Sequence, residues 1–179
     1  MAMKIQLADL SRQNLPLLPQ IQEIMRSLVE RSAFILGPEV KAFEEAFAKY
    51  VGTKHAVGCA NGTDAIYLAL AALDIGPGDE VISTTYTFSA TISGIMRSGA
   101  RPVLIDVDDE TYTLDARQIE KHITPKTKAI IPVHLYGQTA DMDAVMAIAK
   151  RRRVAVVEDC AQAHGARWKG RMAGSFGAI

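Results

Sequence analysis

The chain has 179 residues, with 20 lysines and arginines against 20 aspartates and glutamates, and 49% of its residues are hydrophobic. The balanced charge gives no long-range attraction to nucleic acid or anionic lipid, and the apolar content excludes a disordered chain. Residues 1–10 include Lys4 and Asp9 and lack the apolar core of a signal peptide. A cytoplasmic protein without a membrane partner is therefore expected.

Two helices are predicted near the start of the chain. Apolar residues recur at helical spacing between Leu17 and Arg31, which indicates a first helix. A second helix is expected to begin at Gly37-Pro38, because proline suits the first helical position, and to end at Gly52.

From residue 55 onward, strand-like and helix-like segments alternate. The predicted strands are His55–Ala60, Glu80–Thr84, Pro102–Asp106, Ala129–His134 and Val154–Glu158. The predicted helices between them are Ala65–Leu73, Ser89–Arg97, Ala116–His122 and Asp141–Arg152. This alternation indicates an α/β fold with a mostly parallel sheet that is flanked by helices on both faces.

The segment Glu158–Gln162 carries the clearest chemical signal, because it follows the last of these strands. Ligands of parallel sheets bind just beyond the C-terminal strand ends. A carboxylate there suits a protonated ring nitrogen, such as that of pyridoxal 5'-phosphate (PLP). We expect Asp159 to hold that nitrogen and Gln162 to bond the phenolic oxygen of the ring. The alternative is a solvated acidic pair that caps the next element.

A second candidate segment, Asn61-Gly62-Thr63, stands between a predicted strand and a predicted helix. The first amides of a helix have no internal partners and attract anions, so Gly62 and Thr63 are candidate phosphate binders. The alternative is an ordinary helix start that is capped by Asn61 or Thr63. The segment matches neither a P-loop nor the Gly-x-Gly-x-x-Gly pattern, which argues against a Rossmann nucleotide-binding module.

Three further features bear on the site. Tyr86 and Phe88 follow a strand on the same rim of the sheet, where a ring either stacks on a flat cofactor or packs into the core. His164 is either a site residue or a structural histidine. The same two interpretations apply to His134. The only cysteines, Cys59 and Cys160, lack the partner motif of a zinc site, so no metal is predicted.

With these segments placed, the chain resembles the DegT/DnrJ/EryC1/StrS family of sugar aminotransferases, which are fold-type I PLP enzymes. The resemblance extends over nearly the whole sequence, and its segments occur in the order of the family. They are Phe34–Val40, Phe43-Glu44, Phe47-Ala48, Asn61–Ala65, Gly76–Ile82, Thr85–Phe88, Pro132–Gly137 and Glu158–Gly165. Residues 36–179 would then form an incomplete PLP-binding large domain, preceded by an N-terminal helical segment of residues 1–35.

The resemblance also implies roles for individual residues. Gly62 and Thr63 look like the phosphate binders, and Phe88 stands where the family stacks an aromatic ring on the cofactor. Asp159 matches the partner of the pyridine nitrogen, and Gln162 matches the residue beside the phenolic oxygen. The family further implies a homodimer with shared active sites, and amino transfer from glutamate to a nucleotide-linked keto sugar.

No catalytic residue is predicted within the chain, because the family's Schiff-base lysine would follow beyond Ile179. Lys169 is the only lysine after Asp159 and is expected in a solvated hairpin turn. Gly174–Ile179 resembles a turn that enters another strand, so the chain is expected to be the front part of a longer protein. Two other functions stay open: a PLP-dependent sugar dehydratase, in which histidine replaces the lysine, and a non-catalytic PLP-fold binding protein.

Overall fold

The computed structural model describes residues 5–179, and the chain divides into two compact units, Met1–Phe43 and Glu44–Ile179. In the first unit, a short helix α1 (Ser11–Asn14) and a 3-10 turn lead into α2 (Leu18–Arg31). The first predicted helix is thereby confirmed. The predicted segment 1–35 stays a prediction, and its residues 1–4 lie outside the described residues.

The helix α3 (Pro38–Val51) begins at the predicted proline and confirms the second helix. Gly52 follows it with a φ of 87°, a left-handed conformation that glycine adopts without strain. The Gly52 N–H donates to the Ala48 carbonyl, so the glycine closes the last turn of the helix.

Four parallel strands form the sheet of the second unit, in the order β2–β1–β3–β4. They are β1 (Glu80–Thr84), β2 (Arg101–Ile105), β3 (Thr127–Ile130) and β4 (Ala155–Val156). The parallel order confirms the predicted fold class. The strands β3 and β4 are shorter than predicted, but a single parallel bridge between Val133 and Asp159 continues their pairing toward the C-terminal edge.

Helices cover both faces of this sheet. Helices α4 (Gly62–Ala72) and α5 (Ser89–Arg97) belong to one face, and α6 (Ala116–His122) and α7 (Met142–Arg152) belong to the other. Adjacent strand residues point to opposite faces. Val81 therefore packs with the α4–α5 core, while its neighbour Ile82 packs with the α6–α7 core.

The predicted strand His55–Ala60 is wrong. None of the described strands lies beside these residues, and the Val57 side chain is 83% exposed. The Gly58 N–H instead donates to the Glu44 carboxylate at 2.6 Å. An apolar run becomes a strand only where a neighbouring strand accepts its ladder hydrogen bonds, and local sequence does not reveal that neighbour.

A two-stranded antiparallel hairpin, β5 (Arg167–Trp168) and β6 (Arg171–Met172), follows the sheet. Lys169 and Gly170 form its turn with φ angles of 49° and 85°, and the exposed Lys169 side chain pairs with Asp143. This confirms the solvated turn that was predicted for Lys169. Among residues 5–179, no helix has the length and apolar character that a membrane crossing requires.

Candidate functional site

Asp159 lies at the C-terminal edge of the parallel sheet. Its backbone is held in place because its N–H donates to the Pro132 carbonyl and its carbonyl accepts from the His134 N–H, each at 3.0 Å. In the side chain, Oδ2 accepts from Thr91 Oγ1 at 2.7 Å and Oδ1 accepts from the Ala161 N–H at 3.2 Å. The carboxylate is thus directed toward α5.

Thr91 is a site residue that the sequence interpretation missed. Its side chain is fully buried and makes the only side-chain hydrogen bond to Asp159 among the described residues. Its position three residues after Phe88, on one turn of α5, was a local signal that it lies near the rim of the sheet. The sequence gives no signal, however, that its hydroxyl reaches a residue 68 positions away.

The N-terminus of α4 has the features of an anion site. Asn61 caps the helix: its backbone is extended, and its Oδ1 accepts from the Asp64 N–H at 2.9 Å. This confirms Asn61 as a cap, but the cap leaves the earlier amides at Gly62 and Thr63 without intrahelical partners. A Cβ built at Gly62 would meet nothing within 4 Å, so the space beside it is open. Asp64 is paired with Arg97, which offsets its negative charge.

Helix α5 connects this N-terminus to Asp159. A Cβ built on Gly94 would lie 3.2 Å from the Thr63 carbonyl oxygen and 2.7 Å from Ile66 Cγ2, so α4 and α5 are in close contact there. Gly94 follows Thr91 by three residues, about 4.5 Å of helical rise. The structure therefore brings Thr63 and Asp159 to the same turn of α5.

Phe88 and Gln162 complete the predicted set of cofactor residues. Phe88 is the N-cap residue of α5 and is 72% exposed, so it is not a core residue and its ring is available for stacking. The Gln162 side chain is fixed at one end, because its Oε1 accepts from the Tyr136 N–H at 2.9 Å. Its amide NH2 group, a donor, is left for a ligand.

His164 contacts a different part of the chain. Its ring meets Phe47 edge-on, with 5.7 Å between the ring centroids, and it lines an apolar cavity of about 840 Å³. Gly62, Thr63, Phe88, Asp159 and Gln162 do not line that cavity. Of the six candidate site residues, only His164 lines this cavity.

Glu158, next to Asp159, occupies a different environment. Its carboxylate and the His134 ring are both fully buried, with 3.1 Å between Oε2 and Nε2. The Ala140 N–H donates to His134 Nδ1, so the ring proton lies on Nε2 and is donated to Glu158. Three backbone amides also donate to this carboxylate at 2.6–2.8 Å, those of Gly174, Phe176 and Gly177. His134 is therefore a structural histidine.

Glu158 is also one of three neighbouring side chains of types that can bind a metal. His134, Glu158 and Cys160 bring one nitrogen, one oxygen and the sulfur within 4.8 Å of one another. Burial, reinforced by the charges of Glu158 and Asp159, raises the pKa of Cys160 to about 12, so its sulfur stays a protonated thiol. The His134 nitrogens and the Glu158 oxygens are already bonded within the protein. The cluster thus has the character of a structural network.

Comparison with known proteins assigns a family to this arrangement. The model of the DegT/DnrJ/EryC1/StrS aminotransferase family matches residues 18–179. A pleiotropic regulatory protein of Geobacillus stearothermophilus is 50% identical over 98% of the chain, which covers 47% of that relative. The UDP-N-acetyl-3-dehydro-alpha-D-glucosamine 3-aminotransferase of Acidithiobacillus ferrooxidans has the same identity and coverage.

A solved structure agrees with these relatives. The crystal structure of S. venezuelae DesV in complex with a ketimine intermediate superposes with a TM-score of 0.92 and is 43% identical in sequence. The match covers 96% of this chain and 46% of that one. The chain spans about half the length of the curated relatives it matches.

Proposed function

The chain belongs to the DegT/DnrJ/EryC1/StrS aminotransferase family, and we propose on this basis that it takes part in PLP-dependent amino transfer to a nucleotide-linked keto sugar. The single observation that carries the proposal is the position of Asp159. Its carboxylate is at the C-terminal edge of the sheet, and Thr91 directs it toward α5, the helix against which the N-terminus of α4 packs. The same helix, α5, is therefore in contact with two groups. One is the Asp159 carboxylate, an anion that can pair with a ring nitrogen, and the other is the N-terminus of α4, whose amides can donate to a phosphate.

The donor and acceptor groups of these residues are chemically suited to both ends of PLP. The free amides at Gly62 and Thr63 would bind the phosphate, and the exposed Phe88 ring would stack on the pyridine ring. Asp159 would hold the proton on the ring nitrogen, and the Gln162 NH2 group would donate to the phenolic oxygen. When bound, PLP supplies a protonated ring that accepts negative charge from the substrate carbon.

The substrates are proposed from the family. One relative with 50% identity is named for the amination of a UDP-linked 3-keto sugar, which supports a nucleotide-linked keto sugar as the acceptor. Glutamate is proposed as the amino donor, and a homodimer with shared active sites as the assembly. The cytoplasmic location that was expected from the sequence also belongs to this proposal.

A regulatory role is a second candidate function. The observation that favours it is the name of a relative with 50% identity, a pleiotropic regulatory protein. Under this alternative, the intact protein would bind PLP or a nucleotide sugar and transfer no amino group. Turnover with glutamate and a nucleotide-linked keto sugar would therefore separate the two functions.

The decisive variant is Asp159→Asn in the intact protein, which keeps the size of the side chain and removes its charge. We expect correct folding, weaker PLP binding and a loss of about 100-fold or more in amino transfer, because the ring nitrogen loses its counter-charge. The measurements are circular dichroism, equilibrium binding of PLP and turnover.

The matched control is Asp106→Asn, which changes an exposed aspartate that follows β2 at the same sheet edge. This control should bind PLP and turn over like the wild type. A wild-type protein that fails to bind PLP would contradict the proposed cofactor. Unchanged turnover in Asp159→Asn would remove Asp159 from its proposed role.

A further inference from the structure

Two threonine hydroxyls, one just before α5 and one in its first turn, lead to the Asp159 carboxylate. Thr91 Oγ1 lies 2.7 Å from Asp159 Oδ2, and Thr87 Oγ1 lies 2.8 Å from Thr91 Oγ1. Thr91 is fully buried, and Thr87 is partly buried just before Phe88. The three side chains therefore form one continuous line of hydrogen bonds.

The chemistry of the groups sets the direction of these bonds. A carboxylate only accepts, so Thr91 must donate its single hydroxyl proton to Asp159. The Thr91 oxygen has no second proton to donate, so in its hydrogen bond with Thr87 it is the acceptor and Thr87 is the donor. The Ala161 N–H donates to the other carboxylate oxygen. Each oxygen of Asp159 thus accepts one hydrogen bond from the protein, and the two bonds together fix the plane of the carboxylate.

The Thr91 hydroxyl is bonded to side chains outside its own helix. A buried threonine in a helix commonly bonds the carbonyl of the preceding turn. Thr91 instead bonds a side chain 68 residues away, although it stands within the first turn of α5. The same turn includes the Thr91 N–H bond to the Phe88 carbonyl at 3.1 Å. One turn of α5 therefore holds both the stacking residue Phe88 and the anion Asp159.

We propose that Thr91, supported by Thr87, is a positioning residue that fixes the Asp159 carboxylate in the orientation needed by a pyridine nitrogen. This inference rests on the proposed function, since it presumes that PLP is the ligand. The two hydroxyls also fix Asp159 relative to Phe88. The carboxylate and the stacking ring can therefore contact the same pyridine ring.

The test is Thr91→Val in the intact protein, which removes the donor and keeps the shape. We expect PLP affinity to fall about tenfold, because a charge-assisted hydrogen bond is lost. With PLP labelled with 15N in its ring, the nitrogen resonance should move from the protonated position toward the unprotonated one. Thr91→Ser, which keeps a hydroxyl, should restore both properties, and Thr87→Val should show a smaller change of the same sign.

The matched control is Thr113→Val. Thr113 is also buried, and its hydroxyl pairs with that of Thr111 at 3.0 Å, with no contact to Asp159. Thr113→Val should lose about as much stability as Thr91→Val through the loss of a buried hydroxyl, and it should leave the nitrogen resonance unchanged. If Thr91→Val does not fold, Thr91→Ala provides the same comparison without the branched side chain.

The outcomes separate the two proposals. A wild type that does not bind PLP overturns the proposed function and this inference with it. A wild type that binds PLP with a protonated nitrogen, together with an unchanged resonance and affinity in Thr91→Val, overturns only the role of Thr91. A resonance that shifts equally in Thr113→Val would also overturn it, because the effect would then be general.

Discussion

Glu158 and Asp159 are neighbours in sequence with different physical roles. Burial acts to raise the pKa of Glu158, but hydrogen bonds from His134 and from the Gly174, Gly177 and Phe176 amides outweigh it and hold the pKa below its ordinary value. The folded state therefore favours the ionised carboxylate, while the unfolded chain binds protons more readily. This stabilisation is complete above the ordinary pKa of 4.5 and is lost as the pH falls through the folded pKa.

Glu158→Gln should lower the free energy of unfolding by about 2–3 kcal/mol at pH 7. The NH2 group of the glutamine would replace a carboxylate oxygen that accepts hydrogen bonds, so two donors would face each other. Urea denaturation of the intact protein from pH 7 down to pH 3 measures this loss. The difference between wild type and variant should shrink as the pH falls below 4.5.

The control for this prediction is Glu120→Gln. Glu120 pairs with Arg151 and Arg152 at the surface, and its side chain is 40% exposed. An exposed ion pair contributes about 1 kcal/mol or less. Equal losses in the two variants, or a Glu158→Gln loss that grows toward low pH, would contradict the role given to the buried network.

At the scale of elements, the contact between α4 and α5 positions the site. Gly94 makes this contact possible, because a Cβ there would lie 2.7 Å from Ile66 Cγ2 and 2.8 Å from Ile66 Cβ. Atoms that close must move apart, and the displacement would carry Thr63 away from the turn of α5 that holds Asp159. Gly94 therefore affects both the packing of α4 against α5 and the geometry of the proposed site.

Gly94→Ala should destabilise the intact protein by about 1–2 kcal/mol, although alanine is the better helix former, because overpacking in the interior outweighs propensity. PLP affinity should fall in the same variant. Thermal unfolding and equilibrium binding measure the two effects. Ser93→Ala, at the exposed neighbouring position of α5, should leave both unchanged. A Gly94→Ala protein as stable as the wild type would mean that the helices separate at no cost.

The helices were predictable from sequence because their signals are local. The helices α3, α5 and α6 start and end within a residue of their predicted limits, and α4 starts three residues earlier, at Gly62. The strands were less predictable. The run at His55–Ala60 has a strand-like composition, yet the described residues provide no neighbouring strand to pair with it.

At the scale of the whole molecule, the proposed site joins a phosphate group and a ring in one ligand, so binding should depend on both. PLP at 100 times its dissociation constant should raise the free energy of unfolding of the intact protein by about 2.7 kcal/mol. Pyridoxal, which lacks the phosphate, should stabilise much less at the same concentration. Urea denaturation with each compound measures the difference. Equal stabilisation by the two would exclude phosphate binding at Gly62 and Thr63.

The amino-acid sequence by itself determined most of the helix limits, the alternation of helices with strands, the parallel sheet and the family. These features depend on residue spacing and on short segments that keep their order along the chain. The candidate residues Gly62, Thr63, Phe88, Asp159 and Gln162 could also be proposed from sequence, because each lies in a short segment that follows a predicted strand.

Only the tertiary structure shows which side chains contact these candidate residues and what orients them. It brought Thr91 to Asp159 across 68 residues, enclosed Glu158 with His134, and placed His164 against Phe47 at the apolar cavity. The physical reason is that a hydrogen-bond partner is chosen by proximity in the folded chain. Burial then determines whether a carboxylate serves the fold, as in Glu158, or remains available to a ligand, as proposed for Asp159.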